Sequence, residues 1–391
     1  MPFAAALSTA LETAQALDEA CAPIRDRLGG GADLAVVFFS AHHADGAGRI
    51  AATVRERLAP RCLLGCVAET VIGTGREVED GPALSLWAAR WAGPVTLTPF
   101  HLVLERTADG PSVLGRPDAL AGPEAPAGAV LLLGDPYTFP ADLFLQQTND
   151  LTPGLPVLGG MASGVGGPGE CRLLLDGAVH DRGAVGVLLG GPVGLRWVVS
   201  QGCRPVGRPL VVTRAEDNFI LELGGKPPLT QLQELWESLS PDEQRLFQKG
   251  LHVGRVLNEY QGEFRRGDFL VRNVLGLDRD SGALAVTDRV RVGQTVQFHV
   301  RDAQTADEDL RALLRQDRAM HERRPAAALL FSCNGRGTRL FPQPDHDALA
   351  VRAEAGDMPL AGLFAQGELG PVAGRNFIHG FTASLALFEE G

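Results

Sequence analysis

Three stretches of the sequence follow one pattern, and that recurrence limits the fold more than any other feature. Each opens with a short apolar run, at residues 34–39, 129–133 and 327–331. The runs end at polar residues: Ser40, Asp135, and Ser332 with Cys333. A helical stretch follows at about 48–58, 141–149 and 345–355. Next comes a proline with a second short apolar run, then a glycine: Pro60 to Gly65, Pro156 to Gly159 and Gly160, Pro359 to Gly362. A glycine-bearing turn and a last strand close each stretch. Apolar runs bounded by turn residues read as strands buried on both faces. The glycines after the short runs serve positive φ or close backbone approach.

Between the second and third stretches the pattern changes. Residues 229–236 and 240–248 read as two short helices, the second opened by Ser240, Pro241 and Glu243 in a capping box. Strands are expected at 251–257, 269–275, 283–286 and 296–300, and a polar helix at 306–320. These elements would make a fourth, diverged unit. Gly224, Gly225, Pro227 and Pro228 mark the boundary, which gives an α/β (α+β) chain of repeated strand-helix-strand-strand units in two halves, with mixed sheets flanked by helices. Residues 1–30, rich in alanine and leucine but with Glu12, Asp18 and Glu19 among them, are expected to form an amphipathic helix and not a signal peptide.

Composition closes several functional classes. The formal net charge is −11 over 391 residues, and no basic stripe is present, so neither nucleic acid nor an anionic membrane surface is an expected partner. No run is long and apolar enough to span a bilayer. Only Lys226 and Lys249 are lysines, which leaves Schiff-base chemistry almost no candidates. The six cysteines are scattered, as in a reducing, cytoplasmic compartment. Cys62 and Cys66 are too far apart for a CxxC pair, and His42, His43 and Asp45 read as a solvated loop, so no metal and no cofactor are expected. The glycine-rich run 164–169 lacks the lysine of a phosphate loop and is followed by a strand, so it reads as a hairpin connection.

Three further segments carry a resemblance. They are Val199-Ser-Gln-Gly-Cys203-Arg204-Pro205-Val-Gly207, continuing to Lys226 and Pro227; Phe331-Ser-Cys333-Asn334-Gly335-Arg336-Gly337; and Pro359-Leu-Ala-Gly362 through Gln366, Gly367, Glu368, Gly370 and Pro371 to Asn376, His379 and Gly380. Together with Leu64, Gly65, Cys66 and Gly73 they resemble the FIST family of sensory domains, with its N-terminal part at 31–226 and its C-terminal part at 227–391. The resemblance implies small-molecule sensing in signal transduction, with amino acids or related metabolites as ligands and a signalling protein as the further partner.

The candidate ligand site is the loop Cys333, Asn334, Gly335, Arg336 and Gly337, with Glu368, Asn376 and Asp135. It follows a buried strand, where ligand sites in α/β proteins gather. Arg336 would clamp a carboxylate, or else pair with an acidic neighbour such as Glu368. Glu368 would accept from an ammonium group. Asn376 would face the cleft, and Asp135 would reach it or cap the next helix. No catalytic residue is assigned. Two alternatives stand beside the sensor: a cysteine hydrolase or transferase centred on Cys333, with His379 as a conceivable base, and an interaction scaffold.

Overall fold

The computed structural model describes residues 2–107, 110–120, 128–265 and 267–390. The first stretch supplies β1 (Phe3–Ser8), α1 (Thr13–Leu28), β2 (Leu34–Ser40), α2 (Ala47–Leu58), β3 (Cys62–Ala68), β4 (Val71–Gly73), β5 (Arg76–Val78) and β6 (Leu84–Ala89). The second supplies β7 (Thr96–Thr107), β8 (Gly110–Leu114), β9 (Gly128–Gly134), α3 (Ala141–Leu151), β10 (Val157–Met161), β11 (Leu173–Leu175), β12 (Ala178–His180) and β13 (Ala184–Gly190). The middle region supplies β14 (Leu195–Gln201), β15 (Cys203–Glu216), β16 (Phe219–Leu223), α4 (Pro228–Ser238), α5 (Pro241–Lys249), β17 (Leu251–Val256), β18 (Phe269–Leu277), β19 (Leu284–Val286), β20 (Thr295–Arg301) and α6 (Ala303–Met320). The third stretch supplies β21 (Ala327–Cys333), α7 (His346–Ala355), β22 (Leu360–Ala365), β23 (Glu368–Val372), β24 (Arg375–His379) and β25 (Thr382–Phe388). The chain is thus a mixed α/β protein, as the pattern of elements predicts.

Two compact units are present. The larger comprises Met1–Val199, Leu310–Ile378 and Thr382–Gly391. In it the three stretches build three sheets of one plan. In each, the first strand runs parallel to the second and antiparallel to the last: β2 with β3 and β6, β9 with β10 and β13, β21 with β22 and β25. Each sheet also accepts a strand or hairpin from another stretch. The β4–β5 hairpin adds to β22, β11–β12 adds to β3, and β23 adds to β10. The hairpins therefore pass around the three sheets in a cycle.

The apolar runs are explained by burial on both faces. Leu131 and Leu133 of β9, with Leu329 and Phe331 of β21, join one core shared by all three sheets. Their neighbours Val130 and Leu132 turn outward to Phe144 and Leu145 of α3, while Ala328 and Leu330 meet Leu310 and Leu314 of α6 and Val351 of α7. The recurring glycines mark where each second strand approaches the first. A Cβ on Gly65 would lie 2.6 Å from the Val37 carbonyl oxygen; on Gly159 or Gly362 it would lie 1.9 Å from that of Leu132 or Leu330.

The smaller unit is Ser200–Asp309 with His379–Phe381. Here the expected fourth strand-helix-strand unit does not form. The strands close instead into an antiparallel barrel in the order β15-β16-β19-β18-β17-β20, and closure leaves no sheet edge unpaired. Its core is its own, built on Val212, Ile220, Val253, Leu284, Phe298 and Val300. The capping box of α5 is present as the sequence predicts.

The chain start also differs from expectation. Phe3–Ser8 is a strand paired with β6 rather than the first turns of a helix. Phe3 packs on Trp87 at 5.6 Å and Phe388 at 5.8 Å, and that tertiary contact outweighs the helix propensity of three alanines. The last expected strand, 377–388, is divided into β24 and β25, and Phe381 between them has φ +65°. No helix among the described residues is long and apolar enough to cross a membrane.

Candidate functional site

The second strands of the three sheets end close together in the larger unit, and Ser163 ties them. Its Oγ accepts from Glu69 N–H at 2.8 Å, just beyond β3, and donates to the Phe364 carbonyl of β22 at 2.5 Å. Phe364 N–H in turn donates to the Thr70 carbonyl at 3.0 Å, and Gln366 N–H to that of Met161 at 3.1 Å. Convergence of strand ends is thus real, but at its centre it is a closed hydrogen-bonded knot.

The loop after β21 lies beside this knot. Gly337 sits at φ +57°, where a Cβ would come within 2.6 Å of Phe364 and 2.7 Å of Glu79. Glu79, on the chain just after β5, accepts from Thr338 N–H at 2.9 Å and from its hydroxyl at 2.6 Å. The exchanged hairpin therefore helps to hold the loop.

Arg336 is completely buried. Its partner is Asp347, in the first turn of α7, and not Glu368 as the sequence suggested: Nε donates to Oδ2 at 2.7 Å and Nη2 to Oδ1 at 2.8 Å. Ser332 adds a hydrogen bond to Oδ2 at 2.5 Å, and His346 Nδ1 lies 2.8 Å from Oδ1. The guanidinium also stands over the Phe341 ring at 5.2 Å, which stacks on His346. Burial acts to raise the Asp347 carboxyl, but the Arg336 charge and hydrogen bonds hold it well below the usual carboxylate range.

Asn334 Oδ1, Arg336 Nη1 and Glu368 Oε1 are buried around this loop without a hydrogen-bond partner, as is Glu77 Oε2 beside the Arg336–Asp347 pair. Glu368 is fully buried at the start of β23; its Oε2 accepts from Thr382 N–H at 3.1 Å and Oγ1 at 2.7 Å. Burial pushes its carboxyl up to about 8, against the pull of the Thr382 bonds, the Arg336 charge and the adjoining Cys333 thiol. Glu77 of β5 is likewise raised to about 8, by burial and by the Asp347 charge. Cys333 is half-buried, and its Sγ accepts from Gly335 N–H at 3.4 Å. Orphaned donors and acceptors of this kind are rare in native interiors.

Two expected members stand apart in role. Every polar atom of the Asn376 amide is spent: Oδ1 accepts from Val157 N–H at 2.8 Å, and Nδ2 donates to Leu155 at 2.8 Å and Asn149 at 3.1 Å. It pins β24 to β10 and α3 and offers nothing to a ligand. Asp135 is buried and turned back on its own loop, accepting from Tyr137 N–H at 3.1 Å and the Thr138 hydroxyl at 2.5 Å. Nor does Asp135 cap the next helix, because the N-cap of α3 is Pro140 and carries no side-chain hydrogen bond. No cluster of three or more metal-ligating side chains occurs among the described residues, and His43 is buried against Thr13.

A separate hollow of about 690 Å³ lies in the barrel unit, lined by Leu232, Trp236, Phe247, Leu251, Val274 and Leu277 among others. None of its walls comes from the strand-end loop.

Sequence comparison assigns both parts of the chain. The FIST N domain is matched over residues 33–226 and the FIST C domain over residues 230–371. The chain belongs to the FIST family. FIST domains are sensory domains, which links this chain to signal transduction. It is similar to uncharacterized protein Rv0628c of Mycobacterium tuberculosis (strain ATCC 25618 / H37Rv), 44% identical over 392 residues and covering 100% of both chains. Uncharacterized protein Mb0898c of Mycobacterium bovis is also 44% identical, over 100% of this chain and 99% of its own.

Asp347, Glu77, Glu79, Ser163 and Thr382 surround the candidate loop and its neighbours and were not singled out in the sequence. Asp347 lies in the first turn of a helix, where an acid is ordinary and carries no functional signal. The two glutamates lie on an exchanged hairpin, and no local signal tells which sheet a hairpin will join.

Proposed function

We propose that this FIST chain is a cytoplasmic sensor that holds an amino acid or a close relative at the loop Cys333–Gly337, facing Glu368. The observation that carries this reading is the set of three unpartnered atoms, Asn334 Oδ1, Arg336 Nη1 and Glu368 Oε1. Each buried, unsatisfied group costs about 1–3 kcal/mol, which a matching ligand recovers on binding. A ligand carboxylate accepts from Arg336 Nη1, while its ammonium donates to Asn334 and Glu368. The Asp347 pair fixes the guanidinium plane so that only Nη1 is offered. The absence of disulfides among the described residues suits a reducing compartment.

Thermal-shift screening of amino acids and small carboxylates tests the reading. At about 100 Kd a true ligand adds about 2.7 kcal/mol, a rise of several degrees, and Asn334→Ala or Glu368→Gln should remove it. No rise with any member of the panel would sink the proposal. Binding should also release a proton between pH 6 and 8, because the ligand ammonium favours the charged form of Glu368, whose carboxyl is raised to about 8. Calorimetry in two buffers of different ionisation enthalpy reads that proton.

A second reading is favoured by the barrel hollow, whose volume of about 690 Å³ suits one small molecule. Its apolar lining calls for an uncharged, apolar effector. Trp236 forms part of the wall, so such a ligand should change its emission in the native protein but not in Trp236→Phe.

A further inference from the structure

Cys333 differs from the other cysteines in access and in surroundings. The remaining five are buried. Burial pushes the thiols of Cys21, Cys62 and Cys171 up to about 11, 12 and 12, and raises that of Cys66 well above its ordinary value, so none of these four ionises readily. Cys333 alone is half-buried, at the end of β21. A backbone N–H, that of Gly335, donates to its sulfur at 3.4 Å. The Arg336 guanidinium acts on it electrostatically, and its thiol adjoins the Glu368 carboxyl. A hydrogen-bond donor and a fixed positive charge both favour a thiolate, and a neighbouring carboxyl can take or return its proton.

The same groups argue against acyl transfer. That reaction needs backbone amides free to hold an oxyanion. Around Cys333 the N–H groups of Asn334, Gly335, Arg336 and Thr338 are spent on Ala365, the Cys333 sulfur, the Cys333 carbonyl and Glu79. Among the side-chain atoms of Arg336, Glu368 and Asn334, one guanidinium nitrogen, one carboxyl oxygen and one amide oxygen have no partner, each buried.

We propose that Cys333 captures small 2-oxo acids and carboxylate-bearing aldehydes as reversible thiohemiketals or thiohemiacetals, with the ligand carboxylate on Arg336 Nη1. This rests on the strand-end site of the preceding section and names a substrate class for it. Sulfur adds to the carbonyl carbon, forming one S–C bond while the C=O π bond becomes a C–O single bond. The thiol proton passes through Glu368 to the new hydroxyl, which then donates to Asn334 Oδ1. Nothing leaves and nothing is oxidised, so the adduct needs no co-reactant and reverses on dilution. In a 2-oxo acid the carboxylate is bonded directly to the carbonyl carbon, matching a cationic donor placed beside the nucleophile.

The full chain with [2-13C]glyoxylate at neutral pH provides the test. A new resonance of a tetrahedral carbon should appear, vanish in Cys333→Ala, and disappear on dialysis. Glyoxylate should also slow alkylation of Cys333 by iodoacetamide at least ~10-fold, while Glu368→Gln should slow adduct formation by ~100-fold. Cys333 labelling no faster than the buried Cys21, or no tetrahedral-carbon resonance distinct from that of free glyoxylate hydrate at millimolar glyoxylate, overturns the proposal. The amino-acid thermal shift is measured in parallel on Cys333→Ala. A retained shift with no adduct in the native chain would sink covalent capture alone and leave the sensor reading intact. An adduct without any amino-acid shift would sink the amino-acid reading and leave covalent capture standing.

Discussion

Arg336 and Asp347 are both fully buried, so each charge is tolerable only because the other faces it. Asp347→Ala leaves an uncompensated guanidinium in the interior and should cost about 3–5 kcal/mol in urea unfolding. Replacing both, as Arg336→Met with Asp347→Leu, should recover most of that loss, because an apolar pair of similar volume carries no desolvation penalty. Ligand binding should not recover with it, since Nη1 is gone. If the double variant is no more stable than Asp347→Ala, the pair is held by something beyond mutual compensation. Glu77 and Glu368 set a pH dependence of the opposite kind. Both carboxyls titrate near 8 in the folded chain against an ordinary value of 4.5. Between those values the folded state holds more protons than the unfolded one, so stability falls as pH rises from about 4.5 to 8. Glu77→Gln should therefore gain on the native chain as pH increases, and urea midpoints at pH 5 and pH 9 read the difference. An equal gap at both pH values would show that Glu77 titrates normally.

At the scale of elements, the three parallel strand pairs share one device. Gly65 faces Val37, Gly159 faces Leu132 and Gly362 faces Leu330 in register. Gly362→Ala sets a methyl 1.9 Å from the Leu330 carbonyl oxygen, so β21 and β22 must separate. Overpacking of this kind costs about 1–3 kcal/mol, and a midpoint unchanged in denaturant would show that the sheet yields freely. The sequence made these glycines visible through their even offsets, and it also placed nearly all the helices and the capping box of α5. It misread Phe3–Ser8 because alanine favours helix while a waiting sheet edge does not appear in local sequence. It placed the loop 333–337 correctly after a buried strand, and it left Arg336 either to a ligand carboxylate or to an acidic neighbour, for which it named Glu368 and not Asp347. Choosing between Glu368 and Asp347 requires knowing how α7 seats against β21, and that is a matter of packing.

At the scale of the molecule, the two matched FIST parts follow one another along the chain, whereas the compact units do not. The β4–β5 hairpin of the N-terminal part completes the sheet of β22, and β23 of the C-terminal part completes that of β10. Within the smaller unit, β15 and β16 close the barrel begun by β17 to β20. Separate expression of residues 1–226 and 227–391 should thus give two unfolded or aggregating fragments, each with exposed sheet edges. Co-expression should restore a single complex with native circular dichroism and cooperative unfolding. A fragment that folds alone with a sharp thermal transition would contradict the strand exchange.

By itself the sequence determined three strand-helix-strand stretches, their glycines, the apolar runs that must be buried on both faces, and the loop that carries Cys333 and Arg336. These follow from side-chain periodicity and backbone permissiveness, which act within a few residues. Only the tertiary structure decided which hairpin joins which sheet, that the middle strands close into a barrel, and that Arg336 turns Nε and Nη2 to Asp347 while Nη1 is left without a partner. Those outcomes depend on pairings between residues far apart in the chain, where hydrogen bonds and buried charge are satisfied by whatever the completed fold brings near.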